Sequence, residues 1–538
     1  MSAADPGAVR IYDTTLRDGT QREGLSLTCD DKLRIAERLD RLGVAFVEAG
    51  WPGSNPKDAE LFARAQDRPL RSARWVAFGA TRRAHVKAAY DPQVDALIDA
   101  GTELVTIFGK SSIAHVRDVL RVTPGENLRM IEDTVAHLVS AGRTVVYDAE
   151  HFFDGWREEE SYALETLTAA RAGGAAELVL CDTNGGSMPW DVEAVVARIA
   201  RAFECPIGIH AHDDAGLAVA NSLAAVRGGA RHVQGTINGW GERCGNADLC
   251  TVIPDLELKL GMRCLPEGSL AALCEAAREI AEIANIAPDP HRPYVGRSAF
   301  AHKGGVHVAA IRRAPRSYEH VDPARVGNRS RVVVSELAGQ GNVRSHAEQI
   351  GMELEDEEAR SVVRAIKADE ARGCSFDAAE ASVAVRIARA RPDHVPPFRV
   401  LEYRVIVGRD RAGAPTAEAT VKVEIDGRVV HTAGEHEGPV AALDRALRAA
   451  LEPALPAVAR IRLADFKVRI LDARLAAEAI TRVLVDMSDG TSEWSTVGAS
   501  SSVVEASLEA LVDGIEHGLS LAGREPTWEP RAAGGEGR

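Results

Sequence analysis

The chain has 538 residues, of which 45% are hydrophobic and 27% are charged, and its net charge is −15. The length exceeds that of one ordinary domain, and the composition is typical of a folded globular protein rather than a disordered one. Because no basic stripe is available to neutralise phosphates, the charge argues against a nucleic-acid partner.

The N-terminal residues and the cysteines predict a cytoplasmic location. The chain does not open with a basic region and an apolar run, and no apolar stretch reaches the roughly 18 residues that cross a bilayer. The eight cysteines are scattered without a Cys-x-x-Cys pair, which indicates reduced thiols. We therefore expect a cytoplasmic protein without a membrane partner.

Strand-like and helix-like segments alternate over residues 8–270. Eight short apolar runs predict strands, at 9–12, 45–48, 75–78, 104–108, 144–147, 177–180, 206–209 and 232–237. Helical patterns lie between them, such as 31–39, with apolar residues at i, i+3 and i+4. Eight such units in about 250 residues predict the α/β fold of a (β/α)8 TIM barrel. An open doubly wound sheet would carry a glycine fingerprint after its first strand, which is absent here.

The residues after the barrel predict three further parts and a tail. Residues 271–330 form a linker subdomain that carries His307, and residues 331–395 form a helical subdomain that ends in a proline-rich stretch. Residues 396–524 contain an internal repeat of strand, Asp-Gly-type hairpin turn, strand and amphipathic helix. We expect an α+β domain of two similar halves there, followed by a disordered tail at 525–538.

Polar residues at the ends of distant strands predict a metal site. Functional side chains of a TIM barrel come from the C-terminal ends of its strands. Asp18 follows the first strand, and His210 and His212 end the seventh, where alternation along a strand points both imidazoles the same way. Asn246, after the last strand, could add a neutral oxygen. This N/O ligand set suits Mg²⁺, Mn²⁺ or Zn²⁺.

Four more residues, three beside these ligands in sequence and His307 outside the barrel, have roles that the pattern suggests. Asp213 and Asp214 are expected to orient one of the imidazoles. Arg17 has two interpretations, an ion pair with a neighbouring loop or a cation that stabilises developing oxyanion charge. His307, in a glycine-flanked turn, is either an ordinary surface histidine or a general base.

Two long signatures resemble the α-isopropylmalate, homocitrate and citramalate synthase family of metal-dependent barrel enzymes. One is Leu-Arg-Asp-Gly-x-Gln at 16–21, followed by Lys32, and the other is the His-x-His-Asp-Asp-x-Gly-x-Ala-x-Ala pattern within 207–220. A Gly-Glu-Arg-x-Gly-Asn run ending at Asn246, the Gly-Val-His ending at His307 and the duplicated C-terminal domain also match. The resemblance covers nearly the whole chain.

The resemblance implies a role for each matching residue. The divalent ion would be held by Asp18, His210, His212 and Asn246. Arg17 would stabilise an enolate, and the 2-oxo acid site would include Gln21, Glu150 and Thr183. Phe108 is placed in the same pocket by its position alone, at the end of the fourth strand. His307, with Tyr318, would act near the methyl group of acetyl-CoA in the barrel of the partner subunit, so a homodimer is expected.

The family resemblance implies an enzyme that joins acetyl-CoA to a 2-oxo acid and hydrolyses the thioester. The sequences of residues 150–155 and 181–186 are most similar to those of the citramalate-forming branch, which uses pyruvate. In that branch the C-terminal domain would bind isoleucine as a feedback inhibitor. The alternative is the isopropylmalate-forming branch, which uses 2-oxoisovalerate. A lyase or aldolase would not need the C-terminal duplication, and a non-catalytic amino-acid sensor would not need the complete ligand set.

Overall fold

The computed structural model describes residues 7–303, 307, 310–311, 313–334, 339–471 and 479–523. The chain divides into two compact units: Met1–Phe300 with Glu319–Arg329, and Ala301–Tyr318 with Ser330–Arg538. The tail predicted at 525–538 lies outside the described residues. Within the described ranges, no helix combines the length and the apolar character that a bilayer crossing requires.

Eight parallel strands of the first unit close into a barrel in chain order. They are β1 (Arg10–Asp13), β2 (Phe46–Gly50), β3 (Arg74–Ala80), β4 (Leu104–Lys110), β5 (Thr144–Glu150), β6 (Glu177–Asp182), β7 (Ile207–Ala211) and β8 (His232–Gly235). Strand β8 pairs with β1 and so closes the barrel. The predicted TIM barrel is confirmed. Strand β8 ends two residues before the predicted 237, because Thr236 leaves the barrel ladder and pairs with Asp248.

The helices of the first unit surround this barrel. They are α1 (Cys29–Leu42), α2 (Pro56–Ala65), α3 (Pro92–Asp99), α4 (Ile113–His115), α5 (Pro124–Ser140), α6 (Phe152–Glu158), α7 (Glu160–Gly173), α8 (Pro189–Ala202), α9 (Ala218–Gly228), α10 (Leu249–Pro254) and α11 (Leu273–Ile283). Helix α1 illustrates why these segments are helical. A capping box between Thr28 and Asp31 satisfies its first N–H groups, and Leu33, Ala36 and Leu39 form a buried stripe at helical spacing.

A partly buried ion pair lies at the end of the barrel where the strands begin. The guanidinium of Arg10 donates to both carboxylate oxygens of Glu177, at 2.5 and 2.7 Å, and Nδ1 of His232 lies 2.8 Å from Oε2 of Glu177. The His232 ring stacks on Tyr12, and Arg10 lies 5.7 Å from the centre of the Phe46 ring. Charge and aromatic packing thus hold β1, β2, β6 and β8 together at this end.

This ion pair predicts a loss of stability in acid. Burial alone would raise the pKa of Glu177, but the hydrogen bond with His232 and the charge of Arg10 lower it from 4.5 to about 2. Because the pKa of Glu177 is lower in the folded chain than in the unfolded one, its ionised form stabilises the fold. This stabilisation is complete above pH 4.5, the pKa in the unfolded chain, and is lost as the pH falls towards 2. We expect Glu177→Gln to remove up to about 3 kcal/mol of this pH-dependent stability.

Urea unfolding of the wild type and the variant between pH 2 and 7 measures this effect. Glu160→Gln, which alters an exposed pair with Arg198, is the matched control and should keep the wild-type pH dependence. If the free energy of unfolding fell equally steeply with falling pH in the wild type and in Glu177→Gln, the prediction would be contradicted.

The second unit combines helices with three small sheets. Its helices are α12 (Gln340–Gln349), α13 (Asp356–Ala371), α14 (Glu380–Arg389), α15 (Pro439–Leu451) and α16 (Val503–Ala522), and its two-stranded sheet joins β9 (Ala301–His302) to β10 (Arg331–Val332). The other strands are β11 (Arg399–Arg409), β12 (Pro415–Ile425) and β13 (Arg428–His436) in one sheet, and β14 (Arg462–Ile470), β15 (Thr481–Ser488) and β16 (Glu493–Ser500) in another.

Each of the two larger sheets is followed by one helix, which confirms the predicted duplication. The Asp-Gly turn between β12 and β13 has positive φ at both central residues, 48° at Asp426 and 74° at Gly427, as a type I′ hairpin requires. The sequence pattern did not reveal the first strand of each copy. Strands β11 and β14 have few buried side chains, and so lack the alternation that marks a half-buried strand.

Helix α14 packs on the second copy of the repeat. Val383 and Ile387 of this helix, with Phe376 of the preceding turn, share a hydrophobic cluster with Val497 and Ala499 of β16. Ion pairs add to this contact, because Arg386 and Arg389 on α14 bind Asp513 and Glu516 on α16. Strand β16 is therefore largely buried, whereas its counterpart β13 in the first copy is largely exposed.

Candidate metal centre and active site

Three buried side chains of the metal-ligand type converge where the barrel strands end. Asp18 comes from the turn after β1, and His210 and His212 come from the end of β7. Nε2 of His210 lies 3.3 Å from Nε2 of His212 and 3.4 Å from Oδ2 of Asp18, and the third distance, His212 to Asp18, is 3.9 Å. One cation at about 2.1 Å from each atom fits these separations.

Asn246, the fourth predicted ligand, is paired with His212 through its backbone and has a free side-chain acceptor. Its backbone bridges to His212, and its Nδ2 donates to the carbonyl of Trp240 at 3.1 Å, which leaves Oδ1 as the free acceptor. Among the described residues, Oδ1 of Asn246 and Oδ1 of Asp18 are buried without a hydrogen-bond partner. Buried acceptors without partners are costly, and a cation would satisfy both. The donor set therefore fits a divalent metal, and the role of these four residues as ligands stays a prediction.

Two of the three clustered groups, Asp18 and His212, have the charge state that binds a cation; burial alone would lower the pKa of the third, His210, but the hydrogen bond and charge of Asp18 raise it. Burial alone would raise the pKa of Asp18, but Arg17 and the hydrogen bond with His210 hold it well below its usual range. Burial, with the neighbouring His210, lowers the pKa of His212 to about 4. An anionic carboxylate and a neutral imidazole are thus present at neutral pH, as metal binding requires.

Gln234 orients the His210 imidazole. Oε1 of Gln234 accepts a hydrogen bond from Nδ1 of His210 at 2.9 Å, and its Nε2 donates to Oδ1 of Asp148 at 3.0 Å. When the ring is neutral, this bond keeps its proton on Nδ1 and leaves the lone pair of Nε2 available to a cation between His210 and Asp18. Burial raises the pKa of Asp148 to about 7. Neither residue was predicted, because a polar residue inside a barrel strand carries no spacing signal.

The prediction that Asp213 and Asp214 orient an imidazole is wrong. Oδ1 of Asp213 accepts from the backbone N–H of Ala218 at 2.8 Å, at the start of α9. Asp214 binds Arg243 through both carboxylate oxygens, at 2.6 and 2.9 Å. The chain turns away from the metal centre after His212, which carries both carboxylates with it.

The role of Gln234 can be tested by metal affinity. We expect Gln234→Leu to weaken binding of Mn²⁺ by roughly 10- to 100-fold, because the imidazole loses the partner that fixes its orientation. Competition with a chromophoric chelator measures the affinity. Asn127→Leu, at another fully buried amide, is the control and should keep the wild-type value. Equal affinity in Gln234→Leu and the wild type would contradict the orienting role.

Arg17 lies directly beside the metal ligands. Its Nε donates to Oε1 of Glu48 at 2.6 Å, and its Nη1 donates to Oδ2 of Asp18 at 3.1 Å. The hydroxyl of Tyr12 donates to the other oxygen of Glu48 at 2.5 Å. Arg17 thus forms an ion pair, but with Glu48 of strand β2 rather than with a neighbouring loop, and its role in stabilising oxyanion charge stays a prediction.

The remaining predicted residues of the first unit lie around the same end of the barrel. Glu150 ends β5 and forms an ion pair with Lys110, its register partner at the end of β4. Thr183 follows β6, and its Oγ1 accepts a hydrogen bond from the backbone N–H of His151 at 2.8 Å. Phe108 belongs to β4, and Gln21 is an exposed residue at the end of a short 3-10 turn. Their contacts with substrate stay predictions.

His307 and Tyr318 both belong to the second unit. Their rings stack on each other, with centroids 4.2 Å apart and an angle of 24° between the planes. Tyr318 is 47% exposed, and His307 is exposed as well. The two residues that the family resemblance pairs in one role are therefore neighbours, with faces accessible from solvent.

Comparisons with known proteins cover almost the entire chain. The HMGL-like family profile matches residues 8–280, the profile described as "Homocitrate synthase post-HMGL domain-like" matches 294–373, and the "LeuA allosteric (dimerisation) domain" profile matches 377–519. The (R)-citramalate synthase of a Synechocystis species is 50% identical, over 95% of this chain and 96% of that protein.

Two further relatives separate the branches of the family. The (R)-citramalate synthase of Geobacter sulfurreducens is 46% identical over 95% of this chain and 97% of that protein. A probable 2-isopropylmalate synthase of Methanopyrus kandleri is only 32% identical over a similar span, 95% of this chain and 98% of that protein. Similarity is thus higher to the two citramalate synthases than to this isopropylmalate synthase.

Proposed function

The chain belongs to the (R)-citramalate synthase family, and from this membership we propose that it condenses acetyl-CoA with pyruvate to give (R)-citramalate and CoA. The observation that carries the proposal is the convergence of Asp18, His210 and His212 beside Arg17 at the C-terminal end of the barrel. A cation site with an adjacent guanidinium suits a 2-oxo acid, whose carboxylate and keto oxygens are both ligands and hydrogen-bond acceptors.

A divalent cation, when bound, polarises the keto carbonyl of the 2-oxo acid. We expect Asp18, His210, His212 and Asn246 to hold this ion, and the oxygen donors with two imidazoles favour Mg²⁺ or Mn²⁺, with Zn²⁺ as the alternative. Arg17 stabilises the negative charge that develops on oxygen during the reaction.

Bond formation joins the acetyl methyl carbon to C2 of pyruvate, while the π bond of the keto carbonyl opens and its oxygen takes up a proton. A base removes one methyl proton, and we assign this step to His307, with Tyr318 beside it, acting in the barrel of the partner subunit of a homodimer. Glu150 and Thr183 position the 2-oxo acid. Water then attacks the thioester carbonyl, the carbon–sulfur bond breaks, and CoA leaves as the thiol.

We place the reaction in the cytoplasm, where citramalate leads through 2-oxobutyrate to isoleucine. The eight cysteines are free thiols, as expected for a reducing compartment. The runner-up is 2-isopropylmalate synthesis from 2-oxoisovalerate. A pocket that accepts a methyl group differs from one that accepts an isopropyl group by only about 1–3 kcal/mol per methylene-sized change.

A CoA-release assay tests the proposal. Purified protein with Mn²⁺ is given acetyl-CoA and, in parallel wells, pyruvate, 2-oxobutyrate, 2-oxoisovalerate or 2-oxoglutarate, each with and without a chelator. We expect the highest rate with pyruvate and loss of activity with the chelator. No release with any of the four acids would contradict a synthase, and a higher rate with 2-oxoisovalerate would favour the runner-up.

Feedback inhibition gives a separate prediction for residues 377–519, which match the LeuA allosteric domain. We expect isoleucine to bind more tightly than leucine, because it is the end product of the proposed route. Calorimetric titration of the full chain with each amino acid measures both affinities, and alanine serves as the control for general amino-acid binding. Equal or reversed affinities would count against the citramalate branch.

A further inference from the structure

We infer that three aromatic side chains, Trp51, Phe78 and Phe108, position the guanidinium of Arg17 for the reaction. We call this group the aromatic wall. The inference rests on the proposed function, because it concerns how Arg17 is held during that chemistry. Trp51 follows β2, Phe78 lies on β3 and Phe108 lies on β4, so neighbouring strands supply the three rings.

The three rings brace one another. Phe78 and Phe108 stack with centroids 5.5 Å apart and an angle of 17° between their planes. Trp51 meets both of them edge-on, at 5.9 Å from Phe78 and 5.6 Å from Phe108. Stacked and edge-to-face contacts at these distances are the favoured arrangements of aromatic pairs. The rings therefore form one stiff surface.

Hydrogen bonds fix Trp51, the outer member of the wall. Its indole Nε1 donates to Oε1 of Gln93 at 3.1 Å, and its backbone N–H donates to Oδ2 of Asp58 at 2.9 Å. The carboxylate of Asp58 also binds the ammonium of Lys32 at 2.5 Å. Because α1, α2 and α3 supply these partners, the wall is tied to the helical shell and cannot shift independently.

Arg17 lies on the face of this wall. Its guanidinium carbon is 3.7 Å from the centre of the Phe78 ring, well inside the range of a cation–π contact. Glu48 and Asp18 hold Nε and Nη1, while Nη2 has no hydrogen-bond partner among the described residues. One face of the Arg17 guanidinium and two of its nitrogens, Nε and Nη1, are thus held. The third nitrogen, Nη2, is left to donate a hydrogen bond to an oxygen of the substrate.

Lys110 forms a similar but longer contact with the other ring of the stack. Its Nζ lies 5.7 Å from the centre of Phe108, and it is the ion-pair partner of Glu150. The wall thus lies between the cation beside the metal ligands and the cation that binds Glu150. A ring lost from this stack would loosen Arg17 without removing its charge, so the aromatic residues are positioning residues.

The opposite end of the barrel provides a matched control. Arg10 lies over Phe46 there, and Phe46 and Phe78 are both 6% exposed. Phe46 also stacks on His232. Each phenylalanine thus lies in a small aromatic group beside an arginine that binds a buried glutamate, Arg10 with Glu177 for Phe46 and Arg17 with Glu48 for Phe78. Leucine at either position removes a ring face and a similar volume, but only Phe78 contacts Arg17.

The experiment compares Phe78→Leu with Phe46→Leu in the CoA-release assay with pyruvate. We expect Phe78→Leu to lower kcat by roughly tenfold, with the KM for pyruvate within about twofold of the wild type. Phe46→Leu should keep the wild-type kcat, with a similar fall in thermal midpoint. Phe78→Tyr, which keeps the ring face, should restore most of the lost rate.

A double variant shows whether Phe78 acts through Arg17. In the Arg17→Met background, Phe78→Leu should cause no further fall in kcat, because the cation that the ring positions is gone. Three results would overturn the inference: equal losses of kcat in Phe78→Leu and Phe46→Leu, an unchanged kcat with a raised KM in Phe78→Leu, or a full additional loss in the double variant. An inactive wild type would instead contradict the proposed function itself.

Discussion

Replacing His210 with alanine is expected to remove the bound cation and to lower CoA release by at least roughly 10³-fold, to the rate seen with a chelator. The physical reason is the geometry of the ligand cluster, in which Nε2 of His210 is the atom nearest to both of the other ligands. Without it, three of the four expected protein ligands remain, and the carbonyl would lose a polarisation of several kcal/mol. Metal content per chain and kcat measure the two effects together.

A buried histidine on the neighbouring strand provides the control for this variant. His232 on β8 is fully buried like His210, but it binds Glu177 at the other end of the barrel. We expect His232→Phe to keep one equivalent of metal and to release CoA, even if it unfolds at a lower temperature. A His210→Ala protein that retained both metal and activity would contradict the assignment of the metal centre.

Arg17→Met is expected to lower kcat by roughly 10²–10³-fold while metal stays bound. Loss of one preorganised donor to a developing oxyanion typically costs this much. The variant also leaves Glu48 buried without its cation, which is expected to destabilise the barrel by about 3–5 kcal/mol. Rate and thermal midpoint must therefore be measured on the same samples, at a temperature where the variant is folded.

The double variant Arg17→Met/Glu48→Gln separates these two effects. Glutamine can still accept from the hydroxyl of Tyr12 and carries no charge, so we expect the thermal midpoint to recover towards the wild type. The rate should stay low, because the cation is still missing. Recovery of the rate along with the stability would show that Arg17 serves only to neutralise Glu48.

Much of the fold could be predicted because the barrel repeats one simple pattern. Parallel strands that are buried on both faces read as continuous apolar runs, and all eight were found within a few residues of their ends. Strands β11 and β14 escaped because their side chains are mostly exposed, so neither an apolar run nor a clean alternation marks them.

The three clustered side chains that we expect to bind metal could be found in the sequence for a different reason. Asp18, His210 and His212 are chemically conspicuous, and a two-residue spacing on a strand fixes their common direction. Their supporting residues are not conspicuous. Glu48 lies within a buried run of β2, and Gln234 lies within β8, where only the three-dimensional register shows that it reaches His210. Asp213 and Asp214 adjoin His212 in the sequence, but their side chains bind the Ala218 backbone and Arg243 instead of an imidazole.

The unequal burial of the two repeat copies has a consequence for how this domain can evolve. Strand β16 is bound by α14 and the backbone N–H of Val497 donates to Ser382 at 3.0 Å, so nearly every substitution there disturbs a shared core. Strand β13, which pairs with β12, keeps most of its side chains exposed among the described residues, and these can change with little loss of stability to a single chain. The two copies therefore differ in constraint at their last strands, and the exposed face of β13 is the place where substitutions are best tolerated.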